Sequence, residues 1–278
     1  MTVSPRSSRS IFRKSLVIPT EHGAWSWLLV PWLYGAVVTF GSGTAAAHAA
    51  PALALTLIGG LAATISRQPA TAWARIRQGR GRAADASLAA GWALGLGMLA
   101  LLCLLGLLAL GRQALSGLIV PFVAVLSAYL LAARSGRSAM RSLGMELTGA
   151  VGLALTAPAA AIAVTARLDA TAIWLWGLFA LQNALGVLYV RQRLAHSKQR
   201  NGEPRLTLGG HLVGFAALLM MAAAGWVSWL AAAPFALLLL RALWAVRAIR
   251  PVADIKRFGF SEVAAELLGG ALIAAALL

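Results

Sequence analysis

The sequence predicts an all-α protein, a polytopic membrane helical bundle of about nine transmembrane helices. Three observations carry that reading. The chain is 60% hydrophobic and only 12% charged, with a mean hydropathy of +0.80, whereas a soluble domain carries roughly 25% charged residues. Its apolar residues fall into stretches of about 20, the length that crosses a bilayer as a helix. Its 24 Lys and Arg stand against 8 Asp and Glu, and they gather in short segments between alternate apolar stretches. The loops therefore explain the net charge of +16 without a nucleic-acid partner.

Residues 1–17 contain Arg6, Arg9, Arg13 and Lys14 but no apolar core followed by a small-residue cleavage site, so they read as a basic cytoplasmic tail. Residues 18–278 then form a single transmembrane domain. The first span, 24–41, is introduced by IPTEHGAW, and the second covers 49–66. In the SRQPATAWARIRQ that follows, Arg67, Thr71, Arg75 and Gln78 recur at helical spacing. They form one polar stripe if the helix continues past Pro69; alternatively, Pro69 opens a separate amphipathic helix. The third span, 87–110, is Leu-rich and holds the lone Cys103, which leaves no disulfide framework and no Cys-based metal site.

The fourth span covers 115–133. The fifth, 145–164, opens on Glu146 and continues as LTGAVGLALTAPAAA, a small-residue run suited to close helix packing. The sixth, 170–190, leads into QNALGVLYVRQRL, where Arg191 and Arg193 lie about 80 degrees to either side of Asn183 around the helix. They cannot point at one spot, and one of them is expected to meet lipid headgroups. The seventh and eighth, 208–225 and 228–247, are divided only around GWVSW, and the ninth covers 260–278. Loop arginines alternate so that the N-terminus lies in the cytoplasm and the C-terminus outside, in a cell inner membrane.

On that topology the unusual polar residues collect at the inner mouths. Glu21 and His22 precede the first helix, Glu146 opens the fifth, Asn183 lies in the inner half of the sixth, His211 opens the seventh, and Glu262 and Glu266 open the ninth. Glu262, which follows Ser261, also suits a helix cap. Arg241 lies inside the eighth span, where lipid exposure would be costly, so it faces the bundle. Ionisable groups at one depth predict a polar pocket open to the cytoplasm.

The stretches IPTEHGAWSWLLVPWLYG, SRQPATAW, RSLGMELTGAVGLALTAPAA, NALGVLYVRQRL and RFGFSEVAAELL, in that order, resemble the YwiC-like family of bacterial membrane proteins. That resemblance implies an integral membrane protein and no particular chemistry. A more distant likeness is to the UbiA-type prenyltransferases, which have nine helices and bind an isoprenoid diphosphate in a cytoplasm-facing cavity. Their two Asp-rich motifs lie after the second and sixth helices, where this chain has SRQPATAWARIRQ and NALGVLYVRQRL. Asn183 alone is similar to the second motif, and Asp85, Asp169 and Asp254 are isolated. The likeness therefore implies, if an enzyme at all, a divergent one without the paired aspartates that hold Mg²⁺.

Three function classes fit these residues. The first binds or transforms an isoprenoid or lipid anion, with Arg67, Arg75, Asn183, Arg191, Arg241 and Glu266 as ligand-binding residues and Glu21, His22 and Glu146 available for proton transfer. It expects no metal and no cofactor. The second is a transporter, and the third is a non-catalytic membrane subunit or assembly factor. The bilayer is the expected environment for all three.

Overall fold

The computed structural model describes residues 13–17, 23–136, 139, 141–197, 202–247 and 251–278. Glu21 and His22 lie outside them, as do Arg6, Arg9, Arg137, Lys198, Arg200 and Arg250. Among the described residues there is no strand, and nine helices are long and apolar enough to cross a membrane. They are α1 (Gly23–Gly41), α2 (Ala49–Arg77), α3 (Ala86–Ala109), α4 (Ile119–Ser135), α5 (Leu143–Thr165), α6 (Ala170–Ser197), α7 (Pro204–Ala223), α8 (Ala233–Arg247) and α9 (Ile255–Leu277). Short 3₁₀ turns at Ala83–Asp85, Gln113–Leu118 and Trp229–Ala232 lead into α3, α4 and α8. Helices are the economical choice here, because each satisfies its own backbone hydrogen bonds where water is scarce.

The basic loops fall at one end of the bundle. There three helices run on as amphipathic extensions beyond their apolar spans. α2 passes through Pro69 without a break and ends at Arg77, so the stripe of Arg67, Thr71 and Arg75 belongs to the spanning helix. α6 continues to Ser197. α9 begins at Ile255, where the Asp254 carboxylate accepts hydrogen bonds from the amides of Lys256 and Arg257. Asp254, not Ser261 or Glu262, is thus the cap of the last helix, and Glu262 lies two turns inside it.

α1, α5, α6 and α9 form the centre. α1 packs mainly on α5 and α9; α6 touches α5, α7, α8 and α9; α2 joins α3 and α4 to the α5 side. α3 and α4 are largely exposed, as lipid-facing helices would be. Alanine and glycine make the central contacts possible. A Cβ on Gly35 would overlap the backbone carbonyl of Ala157, so α1 and α5 meet backbone to backbone.

Two prolines break hydrogen-bond ladders inside this centre, and neighbours supply what they remove. Pro158 cannot donate to the Ala154 carbonyl, and α5 kinks at Ala154 and Leu155; the Ala157 amide takes that carbonyl instead at 3.0 Å. Next to the kink the Thr156 hydroxyl donates to Leu28 O of α1 at 2.7 Å. Pro31 leaves the Trp27 carbonyl of α1 without its helical donor. The Asn183 side-chain amide of α6 reaches it at 3.2 Å and the Ala150 carbonyl of α5 at 3.1 Å. One asparagine therefore joins α1, α5 and α6.

The end opposite the basic loops is tied by Arg112, which is 3% exposed. Its guanidinium donates to Ala163 O at 2.7 Å, to Leu110 O at 2.8 Å and to Ala47 O. A cation here also suits the carbonyl end of α5.

Candidate functional site

α6 presents two polar faces at the basic end. Gln182, Tyr189 and Arg193 follow one another at spacings of seven and four residues and so share a face. Asn183 and Arg191 point to other sides. Through this division the described polar side chains form two groups, one on each side of α6.

The first group lies between α2, α4, α5 and α6. The Arg67 guanidinium sits 4.4 Å from the centre of the Tyr129 ring of α4, and Tyr129 packs in turn over Gly149 of α5. One turn before Gly149, Glu146 accepts a hydrogen bond from Arg191 at 2.9 Å; the same guanidinium lies 3.9 Å from Glu203. Ser142 caps α5 by accepting from the Met145 amide, which sets Glu146 in the first turn. Arg75 stands two turns beyond Arg67 on α2, partly exposed.

The second group lies between α6, α8 and α9. The Arg241 guanidinium is 4.3 Å from the Tyr189 ring centre and donates to Glu262. Arg193 lies 4.6 Å from the ring centre of Trp244. It is 7% exposed, whereas the side chain of Arg191 is 34% exposed. Phe258 stacks on Tyr189 with ring centres 6.3 Å apart. Tyr189, Leu240, Arg241, Trp244 and Ser261 line an open groove of about 440 Å³. Its surroundings are oily: Phe260, Ile255, Leu240 and Trp244 are all more than half exposed.

Deeper in the bundle, Glu266 lies one turn below Glu262 and is 7% exposed. The Gln182 side-chain amide donates to its backbone carbonyl at 3.1 Å. His211, fully buried on α7, is bonded through Nδ1 to Thr207 O at 2.7 Å. It does not open its helix, because Pro204 starts α7 two turns earlier.

A profile of the YwiC-like protein family matches residues 18–161, slightly more than half of the chain. The chain belongs to the YwiC-like family. No curated protein and no solved structure matches it. The matched part of this YwiC-like chain covers α1 to most of α5 and thus Arg67, Arg75 and Glu146.

Of the residues singled out in the YwiC-like sequence, Glu146 and Arg191 are brought together, Arg67 stands over Tyr129, and Arg241 and Glu266 belong to the α9 side with Glu262. Asn183 lies between the groups with both amide-donor bonds committed to backbone carbonyls. Among the described residues no three His, Cys, Asp or Glu side chains converge. Tyr189, Trp244 and Gln182 had not been singled out. Tyrosine and tryptophan near span ends resemble an interfacial belt, but the spacing of Gln182, Tyr189 and Arg193 on one helix face was a usable signal. Arginines lying on aromatic rings keep their orientation while partly desolvated, which is the state in which a guanidinium binds an anion well.

Proposed function

We propose that this YwiC-like membrane protein binds the anionic headgroup of a membrane amphiphile, an isoprenoid phosphate or diphosphate, at the basic end of its bundle. The groove between α6, α8 and α9 is the main contact. The observation that carries this reading is Arg241: an arginine within a spanning helix, backed by Tyr189 and opening on a groove with an apolar lip at Leu240 and Trp244. A phosphate beside Arg241 and Ser261 would leave its tail against Leu240, Trp244 and Phe260, in contact with lipid. Guanidinium forks bind phosphate directly, so no bridging metal is required. Arg67, Arg75 and Arg191 on the other side of α6 offer a second anion-binding patch. Glu146, held by Arg191, stands there as a carboxylate available for proton transfer.

The test uses the purified full chain in phosphatidylcholine nanodiscs with geranylgeranyl diphosphate as probe, and pyrophosphate and geranylgeraniol as head-only and tail-only controls. Binding is expected for the intact amphiphile, with EDTA present or absent. Arg241→Lys keeps the charge and loses the planar fork, so affinity should fall by about 1–3 kcal/mol, roughly 5- to 150-fold. Binding that EDTA abolishes, or that is indifferent to Arg241→Lys, would refute the metal-free groove.

A further inference from the structure

Glu266 lies at about the midpoint of α9, roughly 16 Å along the helix from its start at the rise of an α-helix. α1, α6 and α8, the helices packed on α9, each contribute a polar group there. α6 contributes Gln182, whose Nε2 donates to the Glu266 backbone carbonyl. α1 contributes Tyr34, whose hydroxyl donates to Leu267 O at 3.0 Å. α8 contributes Arg241, bonded to Glu262. The 3₁₀ turn Trp229–Ala232 carries no titratable side chain. α9 itself contributes Glu262, a second acid.

Two oxygens are left over. Oε1 of Glu266 and Oε1 of Gln182 are both buried, and neither has a hydrogen-bond donor; the residues are 7% and 1% exposed. Both atoms are acceptors as long as Glu266 is ionised. Turning the Gln182 amide over would supply a donor but give up its bond to the Glu266 carbonyl. A proton on Glu266 has no such cost: it removes a buried charge that has no cation bonded to it and gives the carboxyl a donor of its own.

We propose that Glu266 is a proton-binding site inside the membrane-spanning bundle, exchanging with the basic end through Glu262. Glu262 lies one turn nearer that end, on the same helix face, with its side chain 19% exposed at the groove. Its carboxylate accepts a hydrogen bond from Arg241. Release of the proton places a second negative charge on α9 one turn from the Arg241–Glu262 pair and strengthens the hold of α9 on that guanidinium; uptake weakens it. The site stands independently of whether the groove takes a lipid anion.

The test is labelling of the full chain in nanodiscs with dicyclohexylcarbodiimide, an apolar reagent for protonated carboxyls. The carboxyl proton passes to a carbodiimide nitrogen, the carboxyl oxygen bonds the central carbon, and the adduct rearranges to a stable N-acylurea that peptide mass spectrometry locates. An adduct at Glu266 is expected near neutral pH, falling about tenfold for each pH unit once the proton is lost. It should persist in Glu262→Gln and vanish in Glu266→Gln. Infrared spectroscopy of the wild type should show a protonated-carboxyl C=O band that disappears over the same pH interval. The wild-type measurements keep the test valid if a variant fails to fold. An unlabelled Glu266 at every pH, or labelling that does not change with pH, would overturn the proposal.

Discussion

Arg241→Met keeps most of the length and apolar stem of the side chain but removes the charge, and so isolates what the guanidinium contributes between Tyr189 and Glu262. With side-chain exposures of 28% and 19%, the Arg241–Glu262 pair is neither dry nor freely solvated. Two unit charges about 4 Å apart attract by about 4 kcal/mol at an effective dielectric of about 20, and most of that replaces lost hydration. Discounted for the remaining solvent, the pair should be worth about 1–2 kcal/mol. The stacked contact with Tyr189 adds about 0.5–2 kcal/mol. Arg241→Met also strands a half-buried carboxylate, so the expected loss is about 2–4 kcal/mol; Arg241→Lys, which keeps the charge but not the flat face, should lose about 1 kcal/mol. The assay is reversible unfolding in mixed micelles at rising dodecyl sulfate fraction, followed by circular dichroism, for wild type, Arg241→Met, Glu262→Gln and the double variant. The cycle should give a coupling energy of about 1–2 kcal/mol. A value below about 0.3 kcal/mol, the scatter of independent sites, would refute the view that these two residues hold α8 to α9.

Further outcomes are expected elsewhere in the bundle. Asn183→Ala should cost about 1–3 kcal/mol by leaving Trp27 O without a donor and removing one of the two donors of Ala150 O; adding Pro31→Ala should recover part of the loss, because a backbone amide returns to Trp27 O, and a double variant no better than the single would count against the account of Asn183. Arg112→Ala should cost about 2–4 kcal/mol and speed hydrogen exchange at the Ala46 amide, which donates to Val164 O; unchanged exchange would show that the three-carbonyl clasp is idle. Gly35→Val should destabilise by about 1–3 kcal/mol or prevent folding, since its Cβ meets the Ala157 backbone; near-neutral stability would mean that α1 and α5 separate easily. Reporter fusions at the two termini should report opposite sides of the membrane, the N-terminus on the cytoplasmic side; the same side for both would refute the odd number of spans.

The nine spans were legible because lipid demands unbroken apolar length, a property each segment carries alone. The continuation of α2 past Pro69 was one of two readings and α6 was followed to Arg193, but the start of α9 was missed, because residues 255–259 fold as helix on the strength of the Asp254 cap, without an apolar run. Arg241 stood out in sequence because a charge within a span needs a reason. Its partner did not. Whether Glu262 meets Arg241, or Arg191 meets Glu146, depends on which helices are neighbours, and that order is set by small residues such as Gly35 and Ala157 whose partners are over a hundred positions away. Asn183 is the instructive case: its place resembles a ligand motif, while its amide protons compensate for a proline in another helix.

The packing of α1 runs against the direction of synthesis. α1 is made before α5, α6 and α9, yet its main partners are α5 and α9, where Tyr34 lies on Gly270. Since a chain enters the membrane N-terminus first, α1 stands without its partners until α5 is made, with the Trp27 carbonyl bare until α6 brings Asn183. Its final seat closes only when α9 arrives. A ribosome that stalls before α9 therefore leaves α1 with an unsatisfied flank, a mark that separates such a fragment from the packed bundle.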